Sequence, residues 1–135
     1  MRNSGSTCTS VFIYGRKIYC ANVGNSKTIL IRFDQNEDEC TTVALSSAHK
    51  PDDVDLENGG RTDCTKDFKH REVPGLYMTH SFGNSTVARV DVTAVPEIKE
   101  HEITPVDKAL VLASDGVWKY LSNQEVANII HPYYR

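Results

Sequence analysis

The sequence lacks the features that mark several classes of protein. No apolar run approaches the roughly 18 residues that span a bilayer, and the opening stretch MRNSGSTCTS has no apolar core of a signal peptide. The formal net charge is −3, so no basic field attracts nucleic acid or an anionic membrane. These absences predict an intracellular protein, cytoplasmic or nuclear, that binds neither nucleic acid nor membrane.

Neither the cysteines nor the histidines have the spacing of a zinc site. The chain has 4 cysteines and 5 histidines, without a C-x-x-C pair or an H-x-x-x-H spacing. An even number of cysteines could form disulfides, but the missing secretory signal favours four free thiols inside a cell. We interpret the histidines as surface side chains or as side chains satisfied by neighbours.

What is present is typical of a globular domain. The 135 residues are 39% hydrophobic and 24% charged, close to the average of folded domains. This length fits one domain, residues 1–135, with a core large enough to fold.

Alternating apolar residues in the first third predict β-strands. The stretch TCTSVFIYGRKIYCANVG reads as two strands joined by a turn at 15–17. Val11 and Ile13 lie on one face of the first strand and Phe12 and Tyr14 on the other, which predicts a strand covered on both sides. KTILIRFD and TTVALS predict a third and a weaker fourth strand, joined by a solvated acidic loop over 34–39. Short turns between consecutive strands predict an antiparallel meander.

The second part of the chain alternates helix, loop and strand signals. Pro51 and the acidic pair after it predict a short helix over 51–58, ended by Gly59-Gly60. The polar stretch 61–74 predicts a loop. EIKEHEI and KALVLAS predict two more strands, and the second, being more apolar, is expected to be the more central.

The stretch YLSNQEVANII carries the clearest helix signal. Ser122 and Glu125 have the spacing of a capping box, and Leu121 and Val126 that of a hydrophobic staple. Val126, Ile129 and Ile130 form an apolar stripe, interpreted as core packing, and Pro132 ends the helix.

Three small polar turns follow apolar strands: GNS at Asn25, SFGNS at Asn84 and ASDG at Asp115. Taken singly, each is typical of a turn, and the first reads as a hairpin turn. Taken together and in order, they suggest a functional site, because each would place a polar side chain at a strand end.

Six ordered motifs resemble the metal-dependent serine/threonine phosphatases of type 2C. They are GSTC, ANVGNSKTIL, AHKPDDVDLENGGR, GLYMTHSFGN, AVPEI and LASDGVWKYLSNQEV. The resemblance runs from Gly5 to about Ile130. It implies an α+β fold, a partial sandwich of two antiparallel β-sheets with flanking α-helices.

The resemblance also implies a mechanism and a set of site residues. Such phosphatases bind two Mg²⁺ or Mn²⁺ ions through aspartates, and a water between the ions attacks a phosphoserine or phosphothreonine. Asp115 occupies a retained ligand position, whereas Asn25 and Asn84 occupy positions where the family has Asp. Lys119 replaces the Asp that follows Trp, and 79–81 replaces the usual S-R-A.

These departures predict weak or absent metal binding and no complete catalytic set. Hard divalent ions prefer carboxylates, and one carboxylate with two amides offers little charge. No counterpart of the opening D-G-H-G-G motif precedes Gly5, and the closing D-N motif is not found, so the chain resembles the middle-to-late portion of a phosphatase domain.

Three readings of function stay open. The chain is a phosphatase segment that acts on phosphoproteins once missing parts are supplied, a non-catalytic pseudophosphatase-like binding or scaffold module, or a structural fragment. Uncovered sheet edges would favour a protein partner or self-association. Six strand residues are expected to need burial: Val11, Ile13, Ile29, Ile31, Val111 and Leu112.

Overall fold

Two antiparallel three-stranded sheets form the centre of the fold. The structure, a computed structural model, describes residues 4–34, 38–50, 65–66, 72–73, 79–83 and 92–134. One sheet has the order β2-β3-β9, formed by Cys8–Tyr14, Lys17–Val23 and Glu97–Glu102. The other has the order β10-β4-β5, formed by Asp107–Ala113, Lys27–Phe33 and Cys40–Ala44.

Shorter elements surround these sheets. β1 (Gly5–Ser6) pairs with β8 (Phe82–Gly83), and β6 (Thr65–Lys66) pairs with β7 (Glu72–Val73). The predicted loop over 61–74 is therefore wrong at 65–66 and 72–73, which form a short antiparallel pair. Helix α1 (Asp115–Trp118) is followed by α2 (Asn123–Ile130) and by a 3₁₀ turn, His131–Tyr133. The predicted helix over 51–58 lies outside the described residues.

The first four main strands are where the sequence predicts them, but the predicted meander is wrong. β2 pairs with β3 around a turn in which Gly15 has a φ of 59°, and β4 pairs with β5. β3 and β4 are in different sheets. The chain therefore crosses between sheets at 24–26, and the expected hairpin turn there is wrong too. The physical reason is that both faces of β4 are apolar. Both faces are buried because β4 lies between α2 on one side and the other sheet on the other side.

The two faces of β4 divide the core into two clusters. Ile29, Ile31 and Phe33 pack against Val126 and Ala127 of α2. On the opposite face, Leu30 packs with three residues of the layer between the sheets: Ile18, Cys20 and Leu45. The arrangement is a sandwich of antiparallel sheets with a helix on one outer face, so the predicted α+β fold class is confirmed.

Two further expectations are corrected by the structure. β10 is more buried than β9, as expected, but it is not more central, because each of the two lies at an edge of its described sheet. On α2 the Ser122–Glu125 capping box is present, but Ile129 is 54% exposed. A helix turns about 100° per residue, so a face centred between Val126 and Ala127 leaves Ile129 at its margin.

The outer face of the β2-β3-β9 sheet is uncovered by the described elements. Phe12 is 65% and Tyr14 73% exposed, although the sequence predicted cover on both sides of this strand. Ile98 on β9 is exposed on the same face, beside Ala21 of β3. Of the six residues expected to need burial, Ile29 and Ile31 are buried, Val11 and Val111 are half-buried, and Ile13 and Leu112 are exposed.

Cys8, Cys20 and Cys40 are free thiols, and Cys64 lies outside the described residues. Within the part of the chain that the structure describes, no helix is long and apolar enough to cross a membrane.

Candidate functional site

The register of β4 and β10 brings Asn25 and Asp115 to the same end of one strand pair. The antiparallel ladder closes on the pair Lys27↔Ala113. Asn25 precedes Lys27 by two positions and Asp115 follows Ala113 by two. Because antiparallel strands run in opposite directions, both residues leave the sheet at this end. Two of the three predicted ligand positions are thus neighbours by topology.

Trp118 fixes the turn that carries Asp115. Its indole Nε1–H donates to the carbonyl oxygens of Ala113 at 2.8 Å and Lys27 at 3.0 Å. These carbonyls belong to the closing pair of the ladder, so one side chain holds α1 against both strands. The Lys27 ammonium lies 4.4 Å from the centre of the Trp118 ring, a cation–π arrangement. Asp115 itself is exposed at the first position of α1.

Asn25 presents an unsatisfied oxygen. Its Oδ1 is buried and has no hydrogen-bond partner among the described residues, which is also true of the Asn22 Oδ1. Most buried polar atoms in folded proteins are paired, so an orphan oxygen is a feature that a ligand could explain. The turn before it depends on Gly24, whose φ is 107° and whose replacement by any larger residue would drive a Cβ into the Thr7 side chain.

The third predicted ligand position, Asn84, lies outside the described residues. The segment before it is described. Gly83 has a φ of 81° and pairs with Gly5, and the Thr79 N–H donates to the His49 carbonyl at 3.2 Å. Backbone pairing therefore connects the described segment before Asn84 to Gly5, and a hydrogen bond connects it to His49.

Lys27, two residues after Asn25, lies in a positively charged region. Burial, and then the charge of Lys50, lower the pKa of Lys27, which means that two ammonium groups share this region. Lys119 is exposed, with its ammonium 5.6 Å from the Tyr120 ring centre. Cations at these positions oppose the binding of a further cation.

The donor set does not fit a two-metal centre. Within 4–34, 38–50, 79–83 and 92–134 no group of three or more His, Cys, Asp or Glu side chains could hold a metal ion. Asp115 offers one carboxylate and Asn25 one uncharged oxygen, whereas Mg²⁺ and Mn²⁺ favour several charged oxygens. We therefore derive no catalytic step through a metal ion.

Two residues that support the site lie within the motifs ANVGNSKTIL and AHKPDDVDLENGGR, but neither was assigned a role of its own from the sequence. Asn22 is fully buried in β3, where its Nδ2 donates to the carbonyls of Gly24 at 3.0 Å and Ser47 at 2.9 Å. His49 accepts the Gly24 N–H at Nδ1. Asn is uncommon inside strands, so an Asn in a strand just before a glycine turn could have indicated a structural role for Asn22. A single histidine gives no comparable indication for His49.

A sandwich of antiparallel sheets, with polar turns gathered at the end of one strand pair, is the arrangement of the phosphatase class that the six motifs resemble. The family model described as Protein phosphatase 2C matches residues 1–133. The chain belongs to the protein phosphatase 2C family.

Relatives and solved structures agree with this assignment. The chain is 34% identical to Probable protein phosphatase 2C 34 of Arabidopsis thaliana, over 95% of this chain and 39% of that protein. It is 32% identical to the Integrin-linked kinase-associated serine/threonine phosphatase 2C of Bos taurus, over 93% of this chain and 34% of that protein. The chain thus spans less than half the length of these relatives.

The fold is also found in a solved structure. The crystal structure of serine-threonine phosphatase 2C from Toxoplasma gondii matches with a TM-score of 0.78 and 18% identity, over 97% of this chain and 48% of that chain. At 18% identity this similarity supports the fold alone and gives no evidence about activity.

Proposed function

We propose that this chain is the middle-to-late portion of a type 2C serine/threonine phosphatase domain and that it does not turn over phosphomonoesters by itself. The substrate class is a phosphoserine or phosphothreonine protein, and activity requires ligands that the described residues do not supply. The free thiols and the absence of a basic field suit an intracellular location.

One observation supports the proposal above others. Asn25 and Asp115 follow the same end of the β4–β10 pair, and the Asn25 Oδ1 is buried without a hydrogen-bond partner among the described residues. A carboxylate and an unpaired amide oxygen at one end of a strand pair suit a ligand site in which an Asp has become Asn. The same pair lacks the charge needed to hold two divalent ions.

The first test is turnover. We expect the purified chain with Mn²⁺ to hydrolyse p-nitrophenyl phosphate no faster than a control without protein, because a single carboxylate does not create the two-metal nucleophile. An active type 2C phosphatase in the same buffer serves as the positive control. Metal-dependent hydrolysis that Asp115→Ala abolishes would contradict the proposal.

The second test restores one carboxylate. Asn25→Asp adds a negative charge where the orphan oxygen lies, so Mn²⁺ should stabilise this variant and leave the wild-type chain almost unchanged. A ligand at a hundred times its Kd stabilises the folded state by about 2.7 kcal/mol, which raises Tm by several degrees in a domain of this size.

The control for this test adds the same charge elsewhere. Asn128 is exposed on α2, where its Oδ1 accepts a hydrogen bond from Gln124 at 2.9 Å. Asn128→Asp should show no Mn²⁺ effect on Tm. Equal shifts in both variants would mean that Mn²⁺ responds to surface charge and that the turns no longer form a site. Asn84→Asp tests the same expectation at the remaining position.

An alternative function is a non-catalytic module that associates through the open β2 edge. Among the described strands, β2 pairs with β3 alone, and its sequence CTSVFIY has no charged residue and no proline. Such an edge lacks the usual protection against pairing with another chain. A second copy suits it best, because antiparallel β2 strands can pair by two-fold symmetry and extend both sheets.

A further inference from the structure

His49 joins the Asn25 turn to the segment that precedes Asn84. Its backbone N–H donates to the Gly24 carbonyl at 3.1 Å, and the Gly24 N–H donates to its Nδ1 at 3.1 Å. Its own carbonyl accepts the Thr79 N–H at 3.2 Å. Both backbone polar groups of Gly24 are thus bound by one residue, which fixes the direction in which the chain continues to Asn25.

The His49 ring is itself held from two sides. Its side chain is 9% exposed and its ring centre lies 3.8 Å from that of His80. Since Nδ1 accepts a hydrogen bond, the proton of the neutral ring is on Nε2, which faces the Glu97 carboxylate at 3.5 Å. Glu97 in turn accepts the Ser47 N–H at 3.1 Å and pairs with Lys99 at 3.2 Å.

Neighbouring contacts do not duplicate this link. Asn22 also binds the Gly24 carbonyl, but its second hydrogen bond goes to Ser47. Thr7 limits the space at Gly24 through its methyl group. Within the described ranges, the hydrogen bonds of His49 reach both the Asn25 turn and the segment 79–83.

We propose that His49 is a positioning residue, which orients the Asn25 turn through Nδ1 and holds it in register with the segment before Asn84. The proposal rests on the proposed function, because orientation of this turn matters only if the turn descends from a ligand site. His49 touches no reacting group and has no catalytic role.

The first experiment is amide hydrogen exchange of the full 135-residue chain, read by NMR. His49→Ala removes the acceptor of a buried N–H, so Gly24 should exchange about tenfold faster or more. His49→Asn can place an amide oxygen where Nδ1 was, and it should return exchange to within about threefold of wild type. Long-range ¹⁵N correlation in the wild-type chain should show a proton on Nε2 and none on Nδ1.

The Ile29 amide, in the core of β4, separates a local effect from general unfolding. Faster exchange at Gly24 with unchanged exchange at Ile29 supports the proposal. Equal acceleration at both amides in His49→Ala would overturn it, because His49 would then be a general stability residue. Unchanged Gly24 exchange in His49→Ala, or no rescue by His49→Asn, would overturn it as well.

A second experiment separates this proposal from the proposed function. In the Asn25→Asp background, His49→Ala should remove the Mn²⁺-induced rise in Tm and His49→Asn should keep it. A background that shows no Mn²⁺ response contradicts the proposed ligand site, whereas the Gly24 exchange rates still decide whether His49 positions the turn. A Mn²⁺ response that survives His49→Ala would overturn the positioning role.

Discussion

We expect the chain to associate with a second copy through β2, and replacing Phe12 by Lys should then make it a monomer. Phe12 is 65% exposed on β2, beside Tyr14 and within 6.5 Å of the Tyr19 ring, centre to centre. In a two-fold β2–β2 dimer, Phe12 of each copy would lie beside the other copy's β2 on the same sheet face, where a cross-strand aromatic pair is worth roughly 0.2–1 kcal/mol and opposed like charges are destabilising. Because the symmetry repeats the change in both copies, the substitution should weaken association about tenfold or more, since each 1.4 kcal/mol is about tenfold.

Light scattering over a range of protein concentrations measures this effect. The matched control is Tyr120→Lys, since Tyr120 is 73% exposed outside the two sheets. We expect this control to associate like the wild-type chain. If the wild-type chain is a monomer at every concentration, pairing between copies is contradicted. The exposed face of the β2-β3-β9 sheet would then bind a different chain or none.

Replacing Asp107 by Asn should cost about 2 kcal/mol of stability at neutral pH, and the cost should disappear in acid. Burial alone would raise the pKa of Asp107, but hydrogen bonds from His101, Thr104 and Arg32 lower it to about 2. The Asp107 side chain is 2% exposed and lies 2.8 Å from Arg32 Nε. The lowering of the Asp107 pKa from 3.8 to about 2 corresponds to about 2 kcal/mol.

The direction of the pH dependence follows from the lowered pKa. The charged carboxylate is favoured in the folded state, so its contribution is complete above the unfolded pKa of about 3.9 and is lost as pH falls toward 2. Urea unfolding at several pH values should therefore show wild type and Asp107→Asn converging in acid. Glu102→Gln, on an exposed residue of β9, is the control and should change stability little. A gap that is constant with pH would refute the assignment to this carboxylate.

The strands and the last helix could be predicted because their signals are local. The apolar runs within Cys8–Tyr14 and Lys27–Phe33 are short and bounded by turn residues, which is typical of strands. The Ser122–Glu125 capping box lies within one turn of helix and forms as its spacing predicts. The ordered motifs predicted the family for a similar reason, since each is a short run of neighbouring residues.

The order of the strands could not be predicted in the same way. The GNS turn has the composition of a hairpin, yet β3 and β4 belong to different sheets. β10 is the more apolar of the last two strands, yet it lies at a sheet edge. In both cases the pairing partner comes from a distant part of the chain, and local composition does not specify which distant strand it will be.

By itself the sequence determined the family and the strand-rich α+β class, because these depend on which residues are present and in what order. The tertiary structure decided that Asn25 and Asp115 share one end of a strand pair. It also decided that His49 binds Gly24 and that the buried Asn25 oxygen has no hydrogen-bond partner among the described residues. Both features depend on residues far apart in the chain, because they arise only when the two sheets pack and exclude water from the turns between them.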